Sequence, residues 1–339
     1  MSQTRTKPER DAVLWRRAFA GRSSTIWIAT IILFIVSPLV APGSIGRAAL
    51  LSMLPFAAVL AIVSAGQTLV VQQRGLDLSV PGQMAFAAVL ATALPVNNGL
   101  PVWLAVALGI ALPGMVGIIN GLLVTKTKTM PLVITLGMNA LLYGTVLSIS
   151  NGTPTAASRG LSNFALAKTA GVPNTVLIAL LLLIVVGFIT QRSVIGRRLT
   201  AVGVSERAAR ALGLRVDLYQ IIAYGFAGLC YGAGGVLLAG YTQNSALFLG
   251  DSYLLPTVAA VVLAGTALSG GLASVVSAGV AALFLTQLDQ LLLSMGWPES
   301  TQLTVQALVL ILVVLIREVI PLAARWRKKR ATARAIPHA

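Results

Sequence analysis

One cysteine, Cys230, and one histidine, His338, are all that this chain offers to thiol, imidazole and soft-metal chemistry. Cys230 lies inside an apolar run, so neither a disulfide framework nor a cysteine metal site can be built. His338 is next to last in the sequence. Zinc sites, histidine acid–base catalysis and a Ser-His-Asp triad are therefore excluded. Acid is scarce too: Asp and Glu together number 9 in 339 residues, and no paired-carboxylate constellation falls in an apolar segment. No glycine is followed by lysine anywhere, so the chain has no Walker A loop and no means of its own to hydrolyse ATP. These shortages imply no catalytic residue, no resident cofactor and no metal.

Apolar sequence fills the space left. Hydrophobic residues make up 57% of the chain and charged residues 10%. Apolar runs recur at roughly 24–41, 48–71, 81–95, 102–124, 130–150, 173–191, 219–241, 253–268, 272–293 and 302–320. A bilayer core about 30 Å thick takes ~20 helical residues to cross. Within lipid the backbone must satisfy its own hydrogen bonds, which makes these runs helices. The expected fold is an all-α polytopic membrane protein of about ten transmembrane helices.

The net charge of +16 would suggest nucleic acid in a soluble chain. Here the charges sit between apolar runs and report orientation instead. With the N-terminus in the cytoplasm, only Arg47, Arg159 and Lys168 of the 25 basic residues fall outside, leaving 22 within. An even number of spans returns the basic C-terminus to the same side. The basic, then apolar, N-terminus is similar to a signal peptide. The run from Ser24 to Val40 is long for one, however, and Pro42 follows without an A-x-A site, so it reads as a retained first helix. The expected organisation is a basic cytoplasmic tail over 1–23, a membrane domain over 24–320 and a second basic tail over 321–339. Both tails suit solvent or anionic headgroups.

Spans 81–95 and 253–268 are short for a full crossing. The first follows Gly75-Leu76-Asp77-Leu78-Ser79-Val80-Pro81-Gly82 and the second follows Gly250-Asp251-Ser252. Each is a break bearing Gly and Asp before an apolar half-helix, at matching places in the two halves. Spans two and seven run in opposite directions, as an inverted-topology repeat would require. Small residues such as Gly225, Gly228, Gly232 and Gly235 suit close helix packing. Gly75, Asp77, Ser79, Gly82, Asp251 and Asp289 are the candidate gating and path residues. A carboxylate at the centre of a lipid-facing helix costs about 2.5–3.5 kcal/mol, so such groups face a cavity or a partner. Asp77 suits a structural role, capping the following half-helix or accepting backbone N–H groups. Asp289 lies near the outer end of its span, where interfacial solvation is available.

The cytoplasmic loop over 192–217 holds the most specific local pattern. Ser205 suits an N-cap, Glu206 the positive start of a helix and Gly213 its left-handed stop. Glu206 and Arg210 stand i,i+4 apart. The result is about two turns of helix, marginal alone in water and in need of a surface to lie against. Ala208, Ala211 and Leu212 form one shallow apolar face, with Arg207 and Arg210 offering charge. The surface could be anionic lipid or a cytoplasmic partner. Leu268-Ser269-Gly270-Gly271 spells the start of the signature of ABC ATPases, but it stands between two apolar runs and reads as a tight cytoplasmic turn.

At these residues the chain resembles the permease subunit of ABC sugar importers of the ribose/xylose/galactose type. Gly75-Leu76-Asp77-Leu78-Ser79 is similar to that family's motif before its third span, with Pro81-Gly82 varying the end. Gly196-Arg197-Arg198, Ala201-Val202-Gly203 and Glu206-x-Ala208-Ala209-Arg210-x-x-Gly213 resemble its coupling loop. Ala260 to Thr266, Leu268 and Gly270-Gly271 resemble a third stretch, and Asn151-Gly152-x-Pro154 an outer loop. The resemblance spans about residues 45 to 320. It implies a bacterial inner-membrane, multi-pass subunit that pairs with a second permease copy, as a homodimer with the path between the copies. It further implies a separate ABC ATPase docked at Ser205, Glu206, Ala208, Ala209, Arg210 and Gly213, and a periplasmic or lipid-anchored substrate-binding protein. The cargo implied is a monosaccharide or related small polar solute. Asp289-Gln290 departs from the neutral Asn residues common in that family. A proton- or ion-coupled secondary carrier using Asp77 or Asp289 is the alternative from another class; a membrane enzyme lacks residues to act with, and nucleic acid is not a partner.

Overall fold

In the computed structural model of the chain, the residues described are 24–298, 300–309, 311, 312 and 315. Both basic tails lie outside them, as do residues 310, 313, 314 and 316–320 of the expected tenth span; residues 300–309 are helical. The chain is overwhelmingly helical. Its helices are α1 (Ser24–Val40), α2 (Arg47–Gln72), α3 (Val80–Asn98), α4 (Val102–Thr127), α5 (Pro131–Ser150) and α6 (Arg159–Leu166). They continue as α7 (Asn174–Arg192), α8 (Val194–Val204), α9 (Glu206–Ala211), α10 (Val216–Thr242), α11 (Asp251–Leu263) and α12 (Val275–Ser294). Seven of these, α2, α3, α4, α5, α7, α10 and α12, are long and apolar enough to cross a membrane, while α1 and α11 are shorter.

The helices alternate in direction between two ends. At one end Gln73, Arg74, Lys128, Pro131, Glu206 and Tyr224 line a common space. At the other, Arg47, Ser52, Ala165, Lys168 and Tyr241 do so. The first is called the basic end below. At the opposite end, β1 (Thr155–Ala156) pairs antiparallel with β4 (Asn244–Ser245), and β2 (Lys168–Thr169) with β3 (Val172–Pro173). Strands β1, β2 and β3, with α6, occupy the segment between spans five and six that hydropathy leaves blank, and β4 joins them from the connection after α10.

Helices α3 and α10 form the centre, each with 72% of its most apolar stretch buried, against 17% for α5. Helix α10 packs on α2, α3 and α4, and α2 packs in turn on α12. The two halves of the chain are thereby interlocked rather than side by side. Gly225, Gly228, Gly232 and Gly235 recur at three- and four-residue steps and so share one face of α10. A Cβ at Gly232 would lie 2.8 Å from the Gly109 carbonyl oxygen of α4, and one at Gly235 would overlap the Met84 backbone of α3. The absence of side chains is what lets these backbones touch, as in other lipid-embedded helix pairs.

The two breaks define the interior. After α2 the chain doubles back, and Gln67 Nε2, five residues before the helix end, donates to the Asp77 carbonyl at 3.3 Å. At 1.5 Å per residue this starts α3 about 8 Å or more inside the basic end. From the other end, residues 243–250 descend until Gly250 packs on the Pro81 backbone. Helices α3 and α11 thus begin beside one another in the interior and run in opposite directions, the geometry that an inverted repeat produces. Only α11, at 13 residues, is a half-helix. The expectation of a short third span is corrected: α3 has 19 residues, because it continues through Val96, Asn97 and Asn98 to a left-handed Gly99.

Overpacking a buried contact costs about 1–3 kcal/mol. Gly235→Val should therefore lower the unfolding temperature and folded yield in detergent, whereas Gly137→Ala, with open space around its Cα, should leave both unchanged.

Candidate translocation and coupling sites

The break between α2 and α3 exposes backbone polar groups at membrane depth; side chains of α2, α5 and the break itself satisfy them, and side chains of α3, α4 and α10 brace those in turn. Asp77 and Ser79 are fully buried. Asp77 Oδ1 accepts from the Ser79 amide at 2.9 Å and from Ser79 Oγ at 2.5 Å. Ser79 Oγ accepts in turn from Gln83 Nε2 at 2.8 Å and from Asn120 Nδ2 of α4 at 2.9 Å. Gln67, whose amide holds the Asp77 carbonyl, accepts from Tyr231 Oη of α10 at 2.6 Å. From α5, Thr135 Oγ1 takes the Leu78 amide at 2.9 Å and Asn139 Oδ1 the Gly82 amide at 2.8 Å. Gly75 packs on the Tyr224 hydroxyl. The residue at the N-cap position of α3 is Ser79, so Asp77 accepts a backbone N–H there without being the cap itself.

Asp251 and Asp289 stand apart from this cluster. Both line a cavity of about 850 Å³ with Ser52, Phe56, Tyr253 and Gln290. Asp251, the first residue of α11, accepts from the Tyr143 hydroxyl of α5, and Asp289 of α12 accepts from Gln306. Tyr143 also stacks edge-on with Phe248, ring centroids 5.0 Å apart. The cavity mixes aromatic faces with hydroxyl, amide and carboxylate groups. Its size falls within the ~300–1,000 Å³ usual for small-molecule sites.

At the basic end, α9 is a six-residue helix closed at both ends. Ser205 Oγ accepts from the Ala208 amide at 3.3 Å. Gly213, with φ +77°, stops the helix in the left-handed conformation. Its amide reaches the Arg210 carbonyl at 2.9 Å, and the Leu214 amide reaches the Ala209 carbonyl at 3.0 Å. That is the paired Schellman closure. One sequence expectation is corrected here. Arg210 pairs with Asp217 at 2.6 Å rather than with Glu206, which accepts from Gln220 Nε2 at 3.0 Å. Helix α9 folds back on the first turn of α10, and those partners lie closer than the i,i+4 one. The side packed down is Ala209, buried with Leu199, Val202, Val216 and Tyr219, while Ala208, Ala211 and Leu212 are exposed. The shallow apolar face therefore points away from this chain.

The structure thus brings Gly75, Asp77, Ser79 and Gly82 into one buried knot and Asp251 and Asp289 into one cavity. It places Ser205, Glu206, Ala208, Ala209, Arg210 and Gly213 on one docked helix. Sequence reasoning missed Gln67, Gln83, Asn120, Asn139, Tyr143 and Tyr231, although an amide or phenol inside an apolar run is itself a signal of an internal polar site.

A broken central helix, a cavity at the start of α11 and a docked end-helix define a transport-type multi-pass membrane protein. The chain belongs to the family described as the permease component of the branched-chain amino acid transport system, which matches residues 49–314, and with that family it is a bacterial inner-membrane protein. It is 30% identical over 293 residues to the ribose import permease protein RbsC of Bacillus subtilis, covering 86% of this chain and 91% of that one. RbsC of Escherichia coli K12 is 30% identical over 296 residues, with 85% and 91% covered. The autoinducer 2 import system permease protein LsrD of Escherichia coli K12 is 30% identical over 305 residues, with 86% and 92% covered. No solved structure matches the chain.

Removing a buried partner costs about 1–3 kcal/mol per polar group left unpaired. Ser79→Ala removes one of the two donors to Asp77 Oδ1 and strands the Gln83 and Asn120 amides together. It should depress the unfolding temperature in detergent well below that of Ser162→Ala, which removes a buried α6 hydroxyl that has no hydrogen-bond partner among the described residues.

Proposed function

We propose that the chain is the transmembrane subunit of an ATP-driven importer that carries a monosaccharide or related small polar solute. Two permease copies form the path, each served by a cytoplasmic ABC ATPase and supplied by a substrate-binding protein at the opposite face. The observation that carries this reading is α9. It is capped, stopped and anchored by Ala209, and it still presents Ala208, Ala211 and Leu212 outward at the end richest in basic residues. A chain without a Walker A loop needs such a contact to receive work from nucleotide.

The mechanism follows from the connections. The ATPase engages Ser205 to Gly213, and its motion passes to α10 through the packing of Ala209 on Val216 and Tyr219. Helix α10 touches the knot through Tyr231 and the interior helices through its glycine face. A rigid lever of this kind can reorient α3 and α11 about their adjoining starts, opening the interior alternately to the two faces. The solute class rests on the relatives named for ribose and autoinducer 2 import and on the cavity lined by Asp251 and Asp289. Carboxylates and amides suit hydroxyl groups, and Phe56 and Tyr253 suit the apolar face of a sugar ring. Asp77 Oδ1 binds the Ser79 amide and hydroxyl at the head of α3, which supports a structural part for it over proton coupling.

Glu206→Lys and Gly213→Val should leave insertion intact and cut ATP-dependent uptake in proteoliposomes about tenfold or more relative to hydrolysis, as loss of a typical coupling energy does. Uptake at full rate by both variants, or accumulation driven by a proton gradient without nucleotide, would remove the reading in favour of a secondary carrier.

A further inference from the structure

Residues 72–74, the last of α2 and the first of its break, are tied to two parts of the chain, at residues 199–204 and at Gly271. Gln72 Nε2 donates to Thr200 Oγ1 at 3.1 Å and to the Gly271 carbonyl at 3.1 Å. Gln73 Nε2 donates to the Leu199 carbonyl at 3.0 Å. The Gly271 amide donates to the Gln72 carbonyl at 2.9 Å. Arg74 completes the junction: Nε donates to the Gly203 carbonyl at 3.0 Å and NH2 to the Val204 carbonyl at 2.5 Å. Those carbonyls are the last two of α8, the helix on which α9 is packed. A cation at a helix C-terminus meets both the unpaired carbonyls and the negative end of the dipole.

Arg74 adopts φ +65°, a left-handed conformation uncommon for a residue bearing a Cβ and easily taken by glycine. The backbone here gains nothing from arginine; the side chain does. Strain of this kind persists where the surroundings over-determine it, and it gathers at moving parts.

We infer that Arg74 is the positioning residue that clamps the central break to the cytoplasmic helices, forming a second line of transmission beside α10. The inference rests on the importer reading above. Helix α10 receives α9 through hydrophobic packing and through the chain itself. The clamp takes α8 and pulls on residues 73–79, which lead to Asp77 and the start of α3. The same junction holds Gly271, in the connection from α11 to α12, so one displacement of α8 reaches both interior helices together. Helix α10 meets the break through the side chains of Tyr224 and Tyr231, whereas the clamp joins α8 to the break by hydrogen bonds from Arg74 itself. Arg74 touches neither nucleotide nor solute on this account, and it works through the carbonyls of Gly203 and Val204.

The test uses the full chain reconstituted with its ATPase and binding protein. Solute moved per ATP hydrolysed is read together with the stimulation of hydrolysis by solute-loaded binding protein. Arg74→Gly keeps the left-handed turn and deletes the side chain that makes the clamp. It should preserve abundance, unfolding temperature and ATPase co-purification, while solute moved per ATP falls about tenfold. Arg74→Lys, which retains one charged donor, should recover part of the ratio. A ratio within about twofold of wild type in Arg74→Gly would overturn the clamp and leave α10 as the sole line. Parallel loss of abundance, uptake and hydrolysis at constant ratio would overturn it too, showing only a fold-holding role. Absence of ATP-dependent uptake by the unaltered complex is a different failure: it removes the importer reading, and the clamp with it.

Discussion

A helix that breaks inside a bilayer leaves amide and carbonyl groups where no water can meet them, and the rest of this structure is arranged around that constraint. Asp77 and Ser79 sit at the break between α2 and α3, joined through one carboxylate oxygen. Because Ser79 Oγ also receives Gln83 and Asn120, the break is stitched to its own helix and to α4. Thr135 and Asn139 bring in α5, and Gln67 with Tyr231 brings in α10. Unsatisfied groups in hydrocarbon cost several kcal/mol each. The helices that supply partners are therefore committed to one register. The glycine face of α10 follows from the same demand, since only close backbones let short polar side chains reach across.

The knot also separates two spaces. Towards one face lies the cavity with Asp251 and Asp289; towards the basic end lies a smaller one of about 330 Å³ that includes Gly75, Glu206 and Tyr224. Gly250 packed on Pro81 closes the line between them. A permease needs such a partition, with alternating access on either side of a fixed centre. Helices α3 and α11 meet at that partition by their starts, so small rotations there translate into larger ones at their far ends.

Much of this was legible in the sequence, because lipid makes strong demands on composition. Apolar runs placed α1 to α5, α7, α10 and α12 to within a few residues, and Gly with Asp marked both breaks. Ser205 and Gly213 announced the ends of α9 through the two local rules of capping. The misses have physical causes. The length of α3 escaped because an apolar window closes at Pro95, while the backbone stays helical until Gly99 provides a left-handed stop. The partners of Glu206 and Arg210 escaped because folding α9 back on α10 brings Gln220 and Asp217 nearer than any residue one turn away. The junction at Arg74 joins residues separated by 129 positions, and periodicity carries no record of such a contact. The buried amides were visible as letters, but their convergence on Ser79 is a tertiary fact.

The account stands on α9 as the place where an ATPase takes hold. Cys230 is buried, and Cys230→Ser gives a background for single cysteines at exposed Leu212 on α9 and exposed Val96 at the far end of α3. Short-span cross-linking of the co-expressed complex is then the most direct measurement. Leu212→Cys should join to the ATPase subunit in high yield, with the yield changing when ATP is bound, and Val96→Cys should not join at all. Equal labelling at both positions, or no cross-link from Leu212→Cys in a complex that still imports solute, would contradict the docking of the ATPase on this helix.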